Sequence, residues 1–243
     1  MRNMVPAVTP DDLLSEALRI KENGGTGMLI SGGCDAFGKV PVLSFTEVLG
    51  RISGMGLEIN MHAGFLTHDE AKELVNAGVR RFSVDVHQDP DVIRNVLHLN
   101  DNGRTEESVR RYESTIENIT DAGGRVIPHV TSGFGKDLEL SGQLLKRMNI
   151  KNAVVLALVP TPGAMTDITP SRETVLRDIG ILLDMGLNVT LGCMRSRNYG
   201  DLETECLKMG VRHIANPSQR TVEWARDNNI EFEISEKCCC MLL

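Results

Sequence analysis

Short apolar runs alternate along this chain with longer stretches in which apolar residues return every three or four positions. The runs predict strands at 27–30, 57–61, 81–86, 125–130, 153–159, 188–191 and 213–215. The helical stretches fall at 44–54, 67–77, 90–99, 105–122, 138–148, 171–185, 202–209 and 219–228. A further helix opens the chain. Thr9 suits an N-cap, Pro10 a first helical position, and Asp11 and Asp12 the positive end of the dipole. Gly24, Gly56, Gly78, Gly123, Gly186 and Gly210 each follow a helix, where a left-handed C-terminal residue is common.

Strands separated by helices imply parallel pairing with right-handed crossovers. Seven such strands, with a helix ahead of the first, predict an α/β fold: a partial or open (β/α) TIM-like barrel lacking its first strand. A doubly wound sheet competes, but Ser31-Gly32-Gly33 does not match its phosphate-loop fingerprint. The expected organisation is one domain over residues 1–243 with a cysteine-containing tail at 231–243. Without a first strand, the strand at 27–30 and the last strand have open edges. Residues 1–8, a second copy, or the tail is expected to cover them. Glu231-Phe232-Glu233-Ile234 alternates as an added strand would.

Composition narrows the function. The formal charge of -7 and the absence of a basic stripe argue against nucleic acid or another polyanion. No apolar run approaches a membrane span and no signal peptide is visible, so a cytoplasmic location is expected. Six cysteines, three of them adjacent, do not form a disulfide framework.

Candidate chemistry gathers at strand ends, where barrels carry function. The segments are Ser31-Gly32-Gly33-Cys34-Asp35, Asn60-Met61-His62-Ala63-Gly64, Asp85-Val86-His87-Gln88-Asp89, Pro128-His129-Val130-Thr131-Ser132-Gly133, Pro160-Thr161-Pro162-Gly163, Gly192-Cys193-Met194-Arg195 and Asn216-Pro217-Ser218. The glycines after the first strand permit close backbone approach to a ligand, or make a tight turn. His62, His87 and His129 follow successive strands and are candidate metal ligands, although no HxH or HExxH spacing supports them. A lone strand-end histidine is more often a hydrogen-bonding residue. Asp85 is a candidate for ribose hydroxyls or for an ion pair with Arg195. In the tail, two of Cys238, Cys239 and Cys240 can join a distant metal ligand. The last four residues also fit a prenylation box ending in leucine, without the basic anchor that accompanies one. A docked or frayed tail is the plainer reading.

The run from Gly27 through Gly32-Gly33-Cys34-Asp35 to Pro41 resembles the second-strand region of radical SAM proteins of the biotin synthase-like branch. It is similar in particular to archaeal and clostridial biotin synthase homologues that include a component of a two-protein lipoyl synthase. The likeness continues through Asn60 to Gly64, Ser83 to Val86, Val126 to His129, Pro160 to Gly163, Leu191 to Arg195 and the terminal cysteines. In that family a CxxxCxxC loop after the first strand holds a [4Fe–4S] cluster, and SAM chelates the open iron. This sequence contains no CxxxCxxC, and its first ten residues resemble the segment just downstream of that motif. The cluster is therefore expected only if the native chain extends upstream of Met1.

The resemblance implies that Ser31, Gly32 and Gly33 receive the SAM amino group. It places Asp85 at the ribose and Gly133 beside the adenine or methionine part. Cys193 and Arg195 would face substrate, and Cys238 and Cys239 would bind a second metal or cluster. The complete enzyme would abstract hydrogen and insert sulfur, acting on a small molecule or a lipoyl-type carrier protein. A partner subunit or a homodimer is expected, with no nucleic acid and no membrane. A metal-dependent lyase or hydrolase using the histidines, and a non-catalytic SAM-binding scaffold, are the alternatives.

Overall fold

The computed structural model describes residues 4–99, 105–160 and 166–235. In chain order the elements are α1 (Pro10–Glu22), β1 (Gly27–Ile30), a 3-10 turn (Leu43–Phe45), α2 (Thr46–Gly54), β2 (Glu58–Met61), α3 (His68–Asn76), β3 (Arg81–Asp85) and α4 (Pro90–Asn95). They continue with α5 (Thr105–Asp121), β4 (Arg125–Ser132), α6 (Asp137–Arg147), β5 (Asn152–Ala157), α7 (Arg172–Asp184), β6 (Asn188–Leu191), α8 (Leu202–Met209), β7 (His213–Ile214) and α9 (Gln219–Asp227). The alternation with parallel strands is that of a partial TIM-like (β/α) barrel. The chain divides into two compact units, residues 1–84 with 110–126 and residues 85–109 with 127–243.

In the first unit, α1 is started by a reciprocal cap. The Thr9 hydroxyl accepts the Asp12 N–H, and the Asp12 carboxylate accepts the Thr9 N–H. Thr67 and Glu70 repeat the device on α3. β1 pairs with β2 in the register Leu29↔Asn60, and β2 with β3 in the register Met61↔Phe82. Alternation gives the strands two unlike faces. Met28, Ile59, Met61, Phe82 and Val84 are buried on one. On the other, Asn60 donates to Ser83 and Arg81 pairs with Glu58 at 2.9 Å.

In the second unit β4, β5, β6 and β7 pair in chain order, without the reversal that defines a doubly wound sheet. His129, Val154, Thr190 and His213 share one row across the strands. Ile127 and Val154 form a buried cluster, with Leu156 and Ala215 packed against it. Val130, Val155, Val189 and Leu191 are buried on the opposite face. The expected strand at 231–234 is not formed. Phe232 and Ile234 are exposed, and the segment joins no ladder. Alternation gives a strand two faces but supplies no partner.

Candidate functional site

The first unit carries the glycine loop. It leaves β1 at Ser31 and is fixed farther along by its own backbone. The Asp35 carboxylate accepts the Phe37 and Lys39 N–H groups at 2.8 and 2.9 Å, and the Asp35 N–H donates to the Lys39 carbonyl. Gly64 bridges to Lys39 with φ +70°. A Cβ on Gly64 would overlap the Gly38 carbonyl. Arg111 of α5 donates to the Phe37 carbonyl at 2.6 Å and stacks over the Phe65 ring. With residues 35–39 anchored in this way, Gly33 is left open, with no atom within 4 Å of where its Cβ would stand.

Two clefts flank this loop. One, of about 680 Å³, is lined by Ser31, Gly32 and Gly33 together with Met28, Leu29 and Val40. The other, of about 520 Å³, is lined by Gly33, Cys34, Asp35, Lys39 and Glu70. Both fall in the size range of small-ligand sites, about 300–1,000 Å³. Lys39 pairs with Glu70 at 2.6 Å. Burial alone would raise the Glu70 carboxyl, but hydrogen bonds from Lys39 and Thr67 hold it below its ordinary value. His62 follows β2, half-buried in the same unit.

In the second unit Asp85 is exposed at the end of β3. Two residues on, buried His87 meets Asp137 of α6 through Nδ1, at 2.8 Å. The other Asp137 oxygen accepts the Gln88 and Asp89 N–H groups at 2.7 Å each. His129 is buried, its Nδ1 3.1 Å from the Ile127 carbonyl. Gly133 takes φ +113° with Pro170 packed against it. Cys193 is exposed.

Arg195 is committed to a buried network. Its guanidinium bonds Glu203 at 2.5 and 3.2 Å and also donates to the Gly192 and Asn216 carbonyls. Glu203 further accepts from the Ser218 N–H and the Thr221 hydroxyl. Burial alone would raise the Glu203 carboxyl, but Thr221, Arg195 and Ser218 bring it down to about 2. Cys206 is buried beside this network, and burial pushes its thiol up to about 12. Arg195 thus ties the ends of β6 and β7 together.

Among the described residues, no three His, Cys, Asp or Glu side chains lie close enough to share a metal ion. Cys34, Cys193 and Cys206 therefore make no three-thiolate set for a cluster. Cys238 and Cys239 lie outside the described residues, as do Thr161, Pro162 and Gly163. Asp137 and Glu203 went unnoticed in the sequence, although they hold His87 and Arg195. The one local sign of Asp137 was an acidic residue in a first helical turn.

A (β/α) architecture with a glycine loop beside a cofactor-sized cleft is the arrangement of radical SAM folds. The fold matches the [FeFe]-hydrogenase maturase HydG with a TM-score of 0.65 at 14% identity, over 89% of this chain and 51% of that one. It also matches anSMEcpe, a structure with bound AdoMet, with a TM-score of 0.51 at 11% identity over 74% of this chain and 52% of that one. The chain is 24% identical to the biotin synthase of Vibrio campbellii over 83% of its own length. It spans 58% of that relative's length. No family profile matches. Together these likenesses place the chain in the radical SAM superfamily, in its biotin synthase-like branch. No helix among the described residues is long and apolar enough to cross a membrane.

Proposed function

We propose that this chain is the SAM-binding part of a biotin synthase-like radical SAM enzyme acting on an unactivated carbon, with sulfur insertion as a further step. The observation that carries this reading is the Ser31-Gly32-Gly33 loop lining a cleft of about 680 Å³. SAM, when bound, supplies the hydrogen-abstracting chemistry of the family. The residues of this chain bind and orient it. The open backbone at Gly33 admits a bulky ligand without a side chain in its way. Ser31 brings backbone and hydroxyl groups to the amino-acid end of the ligand. Asp85 and Gly133 are assigned to the same ligand by the sequence resemblance, with Asp85 accepting hydroxyl donors. The substrate class is a small molecule or a lipoyl-type carrier protein, and Cys193 is the exposed strand-end residue assigned to it.

Calorimetric titration of the chain with SAM tests this reading. Binding is expected to be measurable but weak without iron chelation at the methionine end. Gly33→Val strains no positive φ and fills the open space. It is expected to lower the affinity by about tenfold or more, the effect of losing roughly 1.4 kcal/mol. Asp85→Ala removes an acceptor whose hydrogen bonds are worth roughly 1.5–3 kcal/mol if the carboxylate is engaged. Absence of SAM binding, or equal affinity in wild type and Gly33→Val, overturns the assignment of the loop.

A further inference from the structure

The outer edge of β1 has the properties of an interface. Bonds from Glu58 to the Thr26 carbonyl and from His62 to the Ile30 carbonyl show that even-numbered residues face β2. By alternation, the N–H and C=O groups of Gly27, Leu29 and Ser31 point the other way. Among the described residues no strand pairs with that side. The strand carries none of the usual protections of an edge, having no lysine, no proline and no bulge. Leu29 is 44% exposed, although it sits within a strand. Met4, Val5 and Val8 line the cleft beside it and are 38%, 54% and 81% exposed. Exposed apolar residues clustered along an unpaired edge mark a surface for association.

We propose that this edge is the dimer interface of the chain, with β1 pairing antiparallel to β1 of a second copy about a two-fold axis at Leu29. The parity of the edge makes it self-complementary. With Leu29 opposite Leu29 of the second copy, Gly27 falls opposite Ser31 and Ser31 opposite Gly27. Each of these residues then donates its N–H and accepts through its C=O, and the two sheets become continuous. The two Leu29 side chains lie side by side on one face, and the small Gly27 and Ser31 fit opposite each other. Charge permits the arrangement. No residue from Gly27 to Gly33 is charged. The rim carries one charge of each sign, Glu16 and Arg19, so a two-fold axis brings opposite rather than like charges together. An isologous contact of this kind closes on itself, which an open-ended edge pairing does not.

Sedimentation equilibrium on the full chain, over a wide concentration range, reads the association. A monomer–dimer equilibrium is expected. Leu29→Lys is expected to raise the dissociation constant by about tenfold or more, since it sets like charges directly opposite across the pair. Leu29 is already solvent-exposed, so the fold of the monomer is retained, as circular dichroism would check. Register is tested independently by Leu29→Cys under oxidising conditions, with the link located by mass spectrometry. A hydrogen-bonded antiparallel pair sets Cα atoms about 5.5 Å apart, within disulfide range. A 29-to-29 link is expected, and none from Leu18→Cys on the exposed face of α1. A chain that stays monomeric at every concentration overturns the proposal. So does a dimer that ignores Leu29→Lys or gives no 29-to-29 link. None of these readouts involves SAM, so they stand apart from the outcome of the SAM titration.

Discussion

Glu203→Ala is expected to destabilise the chain by about 3–5 kcal/mol, the range for removing one partner of a buried ion pair. The change strands the Arg195 guanidinium, whose side chain is 1% exposed, and strips acceptors from Ser218 and Thr221. Arg197 reaches the same carboxylate from the surface, so Arg197→Ala should cost no more than about 1 kcal/mol. Urea denaturation of the two variants at neutral pH measures the contrast. The pH dependence has a definite sign. Folding lowers the Glu203 carboxyl from 4.5 to about 2, so its contribution is complete above pH 4.5. It is lost as pH falls from 4.5 towards 2. At one unit per 1.36 kcal/mol, that contribution is about 3 kcal/mol. Glu203→Ala should therefore flatten the acid limb of the stability curve. Equal acid sensitivity in wild type and variant would remove Glu203 as its source.

The second large effect is expected at Gly64. A non-glycine residue held at φ +70° costs about 1–3 kcal/mol in backbone strain alone, and overlap with the Gly38 carbonyl adds to it. Gly64→Val should therefore free the loop carrying Asp35 and Lys39 from β2 before it unfolds the unit. Limited proteolysis should show new cleavage between residues 33 and 41. If the variant resists protease and melts like wild type, the bridge between Lys39 and Gly64 does not hold the loop.

Much of this architecture was legible because its elements announce themselves locally. Parallel strands read as apolar runs, and all six glycines placed after helices take positive φ. Asn149 and Asn229 perform the same service after α6 and α9, with φ 57° and 54°, and were not foreseen. α4 was expected to reach residue 99 but ends at Asn95, and His98 turns to φ 49° beyond it. The pattern offered no glycine to mark that stop. β7 has only His213 and Ile214, because a ladder at the last strand is supported from one side. The strand-end residues themselves were visible as polar departures from apolar runs. Their partners were not, since Asp137 lies 50 residues from His87, and Thr221 18 residues from Glu203. Spacing along a chain carries no information about such meetings until the fold brings them about. Arg195 illustrates the cost: read as facing substrate, it is bonded to Glu203.

Cys206 turns the second unit into its own stopwatch. A thiol that is fully buried and pushed up to about 12 has almost no thiolate to offer an alkylating reagent while the chain is folded. Exposed Cys34 and Cys193 react in the native state and can be blocked beforehand with one colour of label. A second colour, added in short pulses, then reaches Cys206 only in molecules that have opened around α8. The rate at which that colour accumulates reports how often this part of the chain opens under native conditions, without denaturant and without an engineered probe.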